Sequence, residues 1–323
     1  MNFKLDFDIK PPEKLISIRN NILLSGSCFA ENIGNKLVEN KWNTLINPHG
    51  ILFNPESIYQ SFRSIQDEKY FTAEELFEHH DLWHSWYHHG EFSGTDKTDT
   101  LSRINRSQKE AITGFKRTDC IIITFGSAFI YRHRENNEVV ANCHKVPQKN
   151  FKRELLSVDE IVNKFGKLIS SLKNKQFIFT VSPVRYSKDG IAENNLGKAV
   201  LIQSVHEICK RHGNAYYFPA YEIVIDELRD YRWFKEDLCH PNRQAIEYVW
   251  ERFSNTCFDE ETKKIGDELN EILTAKEHRP LNPGSELHQN FLENYLKKTE
   301  AAQQKYPFLN LSEELGYFGN QQP

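Results

Sequence analysis

Ile22-Leu23-Leu24-Ser25-Gly26-Ser27-Cys28-Phe29-Ala30-Glu31-Asn32-Ile33-Gly34 reads as a short apolar strand, a tight turn through Gly26 and a helix starting near Cys28. A strand that turns sharply into a helix lifts one side chain to the carboxyl end of a sheet. It also aims the unpaired N–H groups of the helix start at that side chain. Here the lifted side chain is a thiol.

Outward from this unit the same pattern recurs. Thr44-Leu45-Ile46 is a second short strand that runs into the loop Asn47-Pro48-His49-Gly50. Asp119-Cys120-Ile121-Ile122-Ile123-Thr124 and Phe177-Ile178-Phe179-Thr180-Val181 are continuous apolar strands, and Ala215-Tyr216-Tyr217-Phe218 is a short last one. Amphipathic helices lie between them. One starts at a Ser157–Glu160 capping box and carries Ile161, Phe165, Leu168, Ile169 and Leu172. Another carries Val200, Leu201, Val205 and Ile208. Apolar strands alternating with such helices imply a parallel sheet covered on both faces, a three-layer α/β/α sandwich. Ligand sites in such sheets lie beyond the carboxyl ends of the strands. Cys28, Gly50, Gly126 and Ser182 all fall just past strand ends.

Three further expectations concern the remaining segments. Phe3, Leu5, Phe7 and Ile9 alternate with polar residues and predict a half-exposed strand. Residues 55–116 read as an inserted, mainly helical segment, and a hairpin around Asn136-Asn137 joins Phe129–His133 to Glu138–Asn142. A domain over 1–257 is followed by a charged helical extension over 258–323. Its helices over 259–276 and 285–304 suit a packing or homodimer surface.

Asp237-Leu238-Cys239-His240-Pro241-Asn242 places a carboxylate and an imidazole three residues apart, just before a helix that Pro241 suits. Cys28, His240 and Asp237 in this chain order fit nucleophile, proton carrier and orienting carboxylate for acyl transfer. Cys28 at a helix start favours thiolate. Ser27, one residue earlier, suits local hydrogen bonding at the turn.

Gly26-Ser27-Cys28-Phe29-Ala30 matches the motif of the GSCFA family, and that family resembles the SGNH/GDSL hydrolases. On their Gly-Asp-Ser-Leu pattern, Gly26 matches the Gly, Ser27 replaces the Asp, Cys28 takes the nucleophile position, Phe29 that of the Leu, and Gly34 is a candidate for the later Gly. The resemblance covers roughly residues 20 to 255. It implies a flavodoxin-like strand order and an ester or thioester hydrolase or acyltransferase. It also implies an oxyanion hole from the N–H groups of Cys28 and Gly50. Its third block, Gly-x-Asn, reads Gly126-Ser127-Ala128 here. Ala128 lacks the amide donor, so Ser127, Asn142 and His144 become candidate substitutes. A departure of this kind also suits a second reading, an eroded hydrolase that binds a glycan or acylated ligand. A third reading is a scaffold that docks through the charged helices.

The 323 residues carry a net charge of −4 without a long Lys/Arg block, which argues against nucleic acid as a partner. No apolar run is long enough to span a bilayer, and the first twenty residues lack an unbroken apolar core. A cytoplasmic location is therefore expected, with the six cysteines as thiols and no Cys-x-x-Cys pair among them. No cofactor is called for. His79, His80, His84, His88 and His89 crowd one short run with Trp83, Trp86 and Tyr87. His80, His84 and His88 would share one helix face, but a strand entering a loop fits the bulky aromatics as well. No nearby Asp, Glu or Cys completes a recognisable zinc pattern, so a lid or substrate wall is the better reading than a metal site. Arg185 is either a pocket edge for an anionic substrate group or an exposed structural arginine.

Overall fold

The computed structural model describes residues 5–187 and 190–320. Its centre is a five-stranded sheet. The strands are β1 (Ile22–Gly26), β2 (Thr44–Ile46), β5 (Cys120–Phe125), β9 (Gln176–Val181) and β10 (Ala215–Tyr217), and all neighbours pair in parallel. The order β2-β1-β5-β9-β10 is the flavodoxin-like order. The expected three-layer α/β/α fold is therefore the observed one.

Alternation along the strands assigns the two faces. Ile22, Leu24, Cys120, Ile122 and Ile178 join one core, packed with Ile33 and Leu37 of α1 (Cys28–Glu39) and Val249 and Phe253 of α7 (Arg243–Cys257). Leu23, Ile121, Ile123, Phe177 and Phe179 join the other. That second face is covered by α2 (Pro55–Gln66), α3 (Lys97–Arg117), α4 (Val158–Ser171) and α5 (Ile191–Arg211). The Ser157–Glu160 capping box starts α4 as read.

Two smaller sheets sit outside this frame. β3 (Leu76–His79) and β4 (Leu82–Ser85) form an antiparallel hairpin. Its two-residue turn, His80-Asp81, has both φ angles positive (50° and 58°), which matches the twist of the flanking strands. The histidine run is therefore a hairpin, and no helical face gathers His80, His84 and His88. β6 (Phe129–His133) pairs with β7 (Val139–Val140) and with β8 (Phe151–Leu155). The inserted segment is thus two helices around a hairpin. Residues 5–10 form no strand, although Phe7 and Ile9 pack on the core; Phe3 lies outside the described residues. Backbone groups of a strand need a partner edge, and alternation alone does not supply one.

The chain beyond residue 258 forms α8 (Glu260–Glu277), α9 (Glu286–Lys305) and α10 (Ser312–Asn320). Ile265, Leu269, Ile272, Leu292 and Phe318 belong to the same core as Ile22 and Leu24. The buried Glu314 carboxylate accepts from Lys41 at 2.7 Å and Lys276 at 3.2 Å, tying α10 to the corner after α1 and to α8. Ile18 N–H donates to Thr262 Oγ1 at 2.8 Å. No helix among the described residues is long and apolar enough to cross a membrane.

Burying five such side chains stabilises by about 8–15 kcal/mol, which is the scale of a whole domain's stability. Deleting residues 259–323 is therefore expected to abolish cooperative folding and not merely to release an arm. Far-UV circular dichroism and urea unfolding of the truncated chain check this; a truncated chain with a wild-type cooperative transition would refute it.

Candidate functional site

The pairing register sets the site. Gly26 pairs with Thr124, and Thr124 with Thr180, so these three residues form one row across β1, β5 and β9. Two residues beyond that row stand Cys28, Gly126 and Ser182, at the switch point of the strand order. Gly26 is required there. Its φ is +151°, and a Cβ would lie 2.3 Å from the carbonyl oxygen of Thr124.

Ser27 caps α1. Its hydroxyl accepts from Phe29 N–H at 3.3 Å, and its own N–H donates to Thr124 O at 3.2 Å. It faces away from solvent, leaving half-buried Cys28 as the first helical residue. Burial pushes the Cys28 thiol up from its ordinary pKa, and the Glu31 carboxylate adds to this. The Lys235 ammonium, the Cys28 N–H and the Lys198 ammonium oppose the rise. A cavity beneath α1, lined by Leu24, Phe29, Ile33 and Phe253 with Thr124 and Thr180, has room for about one water.

Asp237 and His240 form a dyad. Asp237 Oδ2 lies 2.6 Å from His240 Nδ1, and Asp237 Oδ1 accepts from the N–H groups of Cys239 and His240, each at 2.9 Å. These N–H donors, with the imidazole, hold the Asp237 carboxyl at about 2. Leu238 between them has φ +56°, an unfavourable setting for a bulky residue and the kind of local strain that clusters at working sites. The loop is docked on the segment after β9. Arg185 N–H donates to Cys239 O at 3.1 Å, its guanidinium lies 4.5 Å over Phe234, and Cys239 Sγ donates to Ser187 Oγ at 3.3 Å. Arg185 is thus a structural arginine. Lys235 N–H donates to His240 O at 2.7 Å, so the loop that brings Lys235 within electrostatic reach of Cys28 also carries His240. Among the described residues no hydrogen bond joins Cys28 Sγ to His240.

The expected oxyanion donors fare differently. Gly50 N–H donates to Asn47 O at 2.7 Å within a turn where Gly50 has φ +76°. Gly126 and Ser127 N–H groups both donate to Phe53 O, at 2.7 and 2.9 Å, and the Ser127 hydroxyl accepts from Phe129 N–H. These three backbone donors are already engaged. Asn142 Oδ1 accepts from His144 N–H, and the His144 ring bonds Ser85 O at 2.8 Å. Both therefore belong to the packing under the β3–β4 hairpin. Cys28 N–H, by contrast, meets only its own sulfur, whose rise it opposes, and has no other hydrogen-bond partner among the described residues.

Two residues that the sequence reading passed over stand at the same edge. Asn47 is buried, accepts from Gly26 N–H at 2.9 Å through Oδ1, and leaves its Nδ2 without a partner. Lys198, on α5, is 2% exposed and donates to Gly126 O and Ser182 O, both at 2.6 Å. Burial pulls its ammonium down to about 7, with the Cys28 charge acting the other way. A usable signal existed for Lys198, which falls on the stripe of Leu201, Val205 and Ile208.

The GSCFA family model matches residues 21–253, and the model of its C-terminal domain matches residues 269–322. The chain belongs to the GSCFA family. No curated protein and no solved structure matches it.

In this GSCFA protein the aromatic hairpin holds a second polar cluster. His49 Nε2 meets Gln108 Oε1 at 2.6 Å, His88 Nδ1 meets Ser85 Oγ at 2.8 Å, and the two rings are 4.8 Å apart. Phe77 stacks on Trp86 at 3.7 Å, and His84 lies 4.5 Å from His144. Among the described residues no group of three His, Cys, Asp or Glu side chains is placed to hold a metal ion. Burial pulls His49 and His144 down to about 4 and His88 well below its ordinary value.

These histidines are neutral in the folded chain, while in the unfolded chain they take up protons below about 6.5. Stability is therefore full above that pH and falls as pH drops towards about 4, by up to about 1.4 kcal/mol per pH unit for each histidine. Urea unfolding between pH 7.5 and 5 should show this slope, and His88→Phe should reduce it. An unchanged slope in that variant would refute the assignment.

Proposed function

We propose that this chain is an SGNH-like hydrolase or acyltransferase that forms a covalent acyl thioester on Cys28. The observation that carries the reading is the Asp237–His240 dyad at 2.6 Å, on a loop whose Lys235 acts on Cys28 at the switch point of the sheet. Cys28 Sγ attacks the carbonyl of an ester or thioester. The Cys28 N–H, at the positive end of α1, receives the developing oxyanion. Asn47 Nδ2 is the second donor, on an amide anchored two residues before Cys28. An unpaired buried amide is unfavourable by about 1–3 kcal/mol, and an oxyanion partner relieves this only as the charge forms. His240, oriented by Asp237 and acting in its protonated form, gives its proton to the leaving group and regains it from the water or hydroxyl that takes the acyl group.

The engaged N–H groups of Gly50, Gly126 and Ser127 favour a second reading, a binding domain for a glycan or acylated ligand. It predicts ligand binding unchanged in Cys28→Ala and no turnover.

Intact-mass spectrometry after incubation with activated esters and thioesters of increasing chain length separates the two. An adduct mapping to Cys28 and absent in Cys28→Ala is expected. His240→Ala should slow turnover about 10²–10⁴-fold. Asn47→Asp, which keeps the Gly26 contact and removes the donor, should slow acylation about 10²–10³-fold. Adducts confined to another cysteine would defeat the enzyme reading.

A further inference from the structure

Cys28 carries a proton that must leave as the sulfur attacks. Among the described residues its thiol has no hydrogen bond to His240 or to Lys198, so position and chemistry identify the base. The charged and titratable groups that act on the thiol are Glu31 on its own helix, Lys235 on the dyad loop and Lys198 on α5. Glu31 disfavours the thiolate, and Lys235 is solvent-exposed and accepts nothing while charged. Lys198 is different in kind. It is closed off from solvent, and no carboxylate lies in salt-bridge contact with it among the described residues. Its two hydrogen bonds run to the carbonyls of Gly126 and Ser182, which stand level with Cys28 on the neighbouring strands. A neutral amine has two N–H donors and one lone pair. The two carbonyls use both donors and leave the lone pair free. Thr180 Oγ1 at the same edge is also buried without a partner, but a hydroxyl is too weakly basic to take a thiol proton, which leaves Lys198 among the described residues.

We propose that Lys198 is the base for Cys28, taking the thiol proton from the side of the sheet opposite the Asp237–His240 loop. The S–H bond breaks with its electron pair staying on sulfur. An N–H bond forms from the Nζ lone pair, and the neutral pair becomes thiolate and ammonium with no net change of charge. The ammonium then holds three N–H donors, two on the carbonyls and one for the thiolate. Burial, which raises the thiol and lowers the amine, makes the neutral pair the resting form, so the proton moves to Lys198 as the sulfur attacks. This inference rests on Cys28 being the nucleophile, but it divides the proton work in a way that reading leaves open. Lys198 serves the sulfur and His240 serves the leaving group and the acceptor.

Iodoacetamide alkylation of the full chain, mapped to Cys28 by peptide mass, tests the pair without any acyl substrate. In the wild type, the Cys28 rate should rise with pH through about 7, where the amine becomes free. Lys198→Gln keeps an N–H₂ group for the two carbonyls and removes the base, while Lys198→Met removes both. In each the rise near neutrality should vanish, and labelling at neutral pH should fall at least about tenfold. His240→Ala should keep the rise. Lys198→Gln with the wild-type profile would overturn the proposal, as would loss of the rise in His240→Ala. Wild-type labelling that rises only above about 9 would also overturn it, and that result requires no variant to fold. If the profile is as expected but no ester or thioester ever acylates Cys28, the pair stands and the acyl-transfer reading falls.

Discussion

The backbone of β1 passes so close to β5 at Gly26 that a methyl group there would overlap Thr124. That contact fixes the turn, and the turn fixes the rest. It seats Ser27 as the cap of α1 and makes Cys28 the first residue of the helix. It also brings the strand ends level, so that Cys28, Gly126 and Ser182 share one edge. Asn47 reinforces the geometry from β2's side by accepting from Gly26 N–H. A parallel sheet leaves the carbonyls and N–H groups at its carboxyl edge without strand partners. Here side chains and loops take them up, and the few polar groups left over lie on the edge that carries the proposed site.

The fold was legible because each central strand is apolar throughout and each flanking helix shows a 3.6-residue stripe. Such segments have one way to bury both patterns. The errors fall where burial is partial. Residues 5–9 alternate like a strand but have no edge to pair with, and β8 was overlooked because Phe151–Leu155 carries mostly polar residues on a half-exposed edge. In the site, Cys28 and the Asp237–His240 pair were visible because each depends on a local turn. The supporting groups were not. Whether Gly50, Gly126 or Ser127 can offer an N–H depends on Asn47 O and Phe53 O, which only the folded chain brings there. Asn47 looks like an ordinary polar residue until its burial is known, and for Lys198 the one signal is its place on the apolar stripe of α5.

Two buried polar clusters flank the aromatic hairpin and the sheet edge, and burial pushes them the same way. It keeps the imidazoles of His49, His88 and His144 neutral, and it favours the neutral forms of Cys28 and Lys198. The difference lies in what each cluster lacks. His49, His88 and His144 each have a protein partner for one ring nitrogen, Gln108, Ser85 Oγ and Ser85 O respectively, which suits packing, although His88 Nε2 is left without one. Among the described residues Cys28 N–H has no partner beyond its own sulfur, and Asn47 Nδ2 has none. A fold that satisfied these donors internally would be more stable, since an orphaned buried donor is unfavourable by about 1–3 kcal/mol.

The helices after residue 258 bear on the site through the same core. Trp42, at the end of the α1 turn, packs on Phe258 with ring centroids 4.7 Å apart, and Lys41 beside it reaches the buried Glu314. The face of α1 that carries Ile33 and Leu37 is thus backed by α7 and by the C-terminal helices. Acyl transfer of the kind proposed would demand a helix that does not shift by even about an ångström. A charged tail with one apolar stripe per helix supplies that support by continuing the core beyond α7, so the C-terminal helices contribute to the placement of Cys28 without lying near it in sequence.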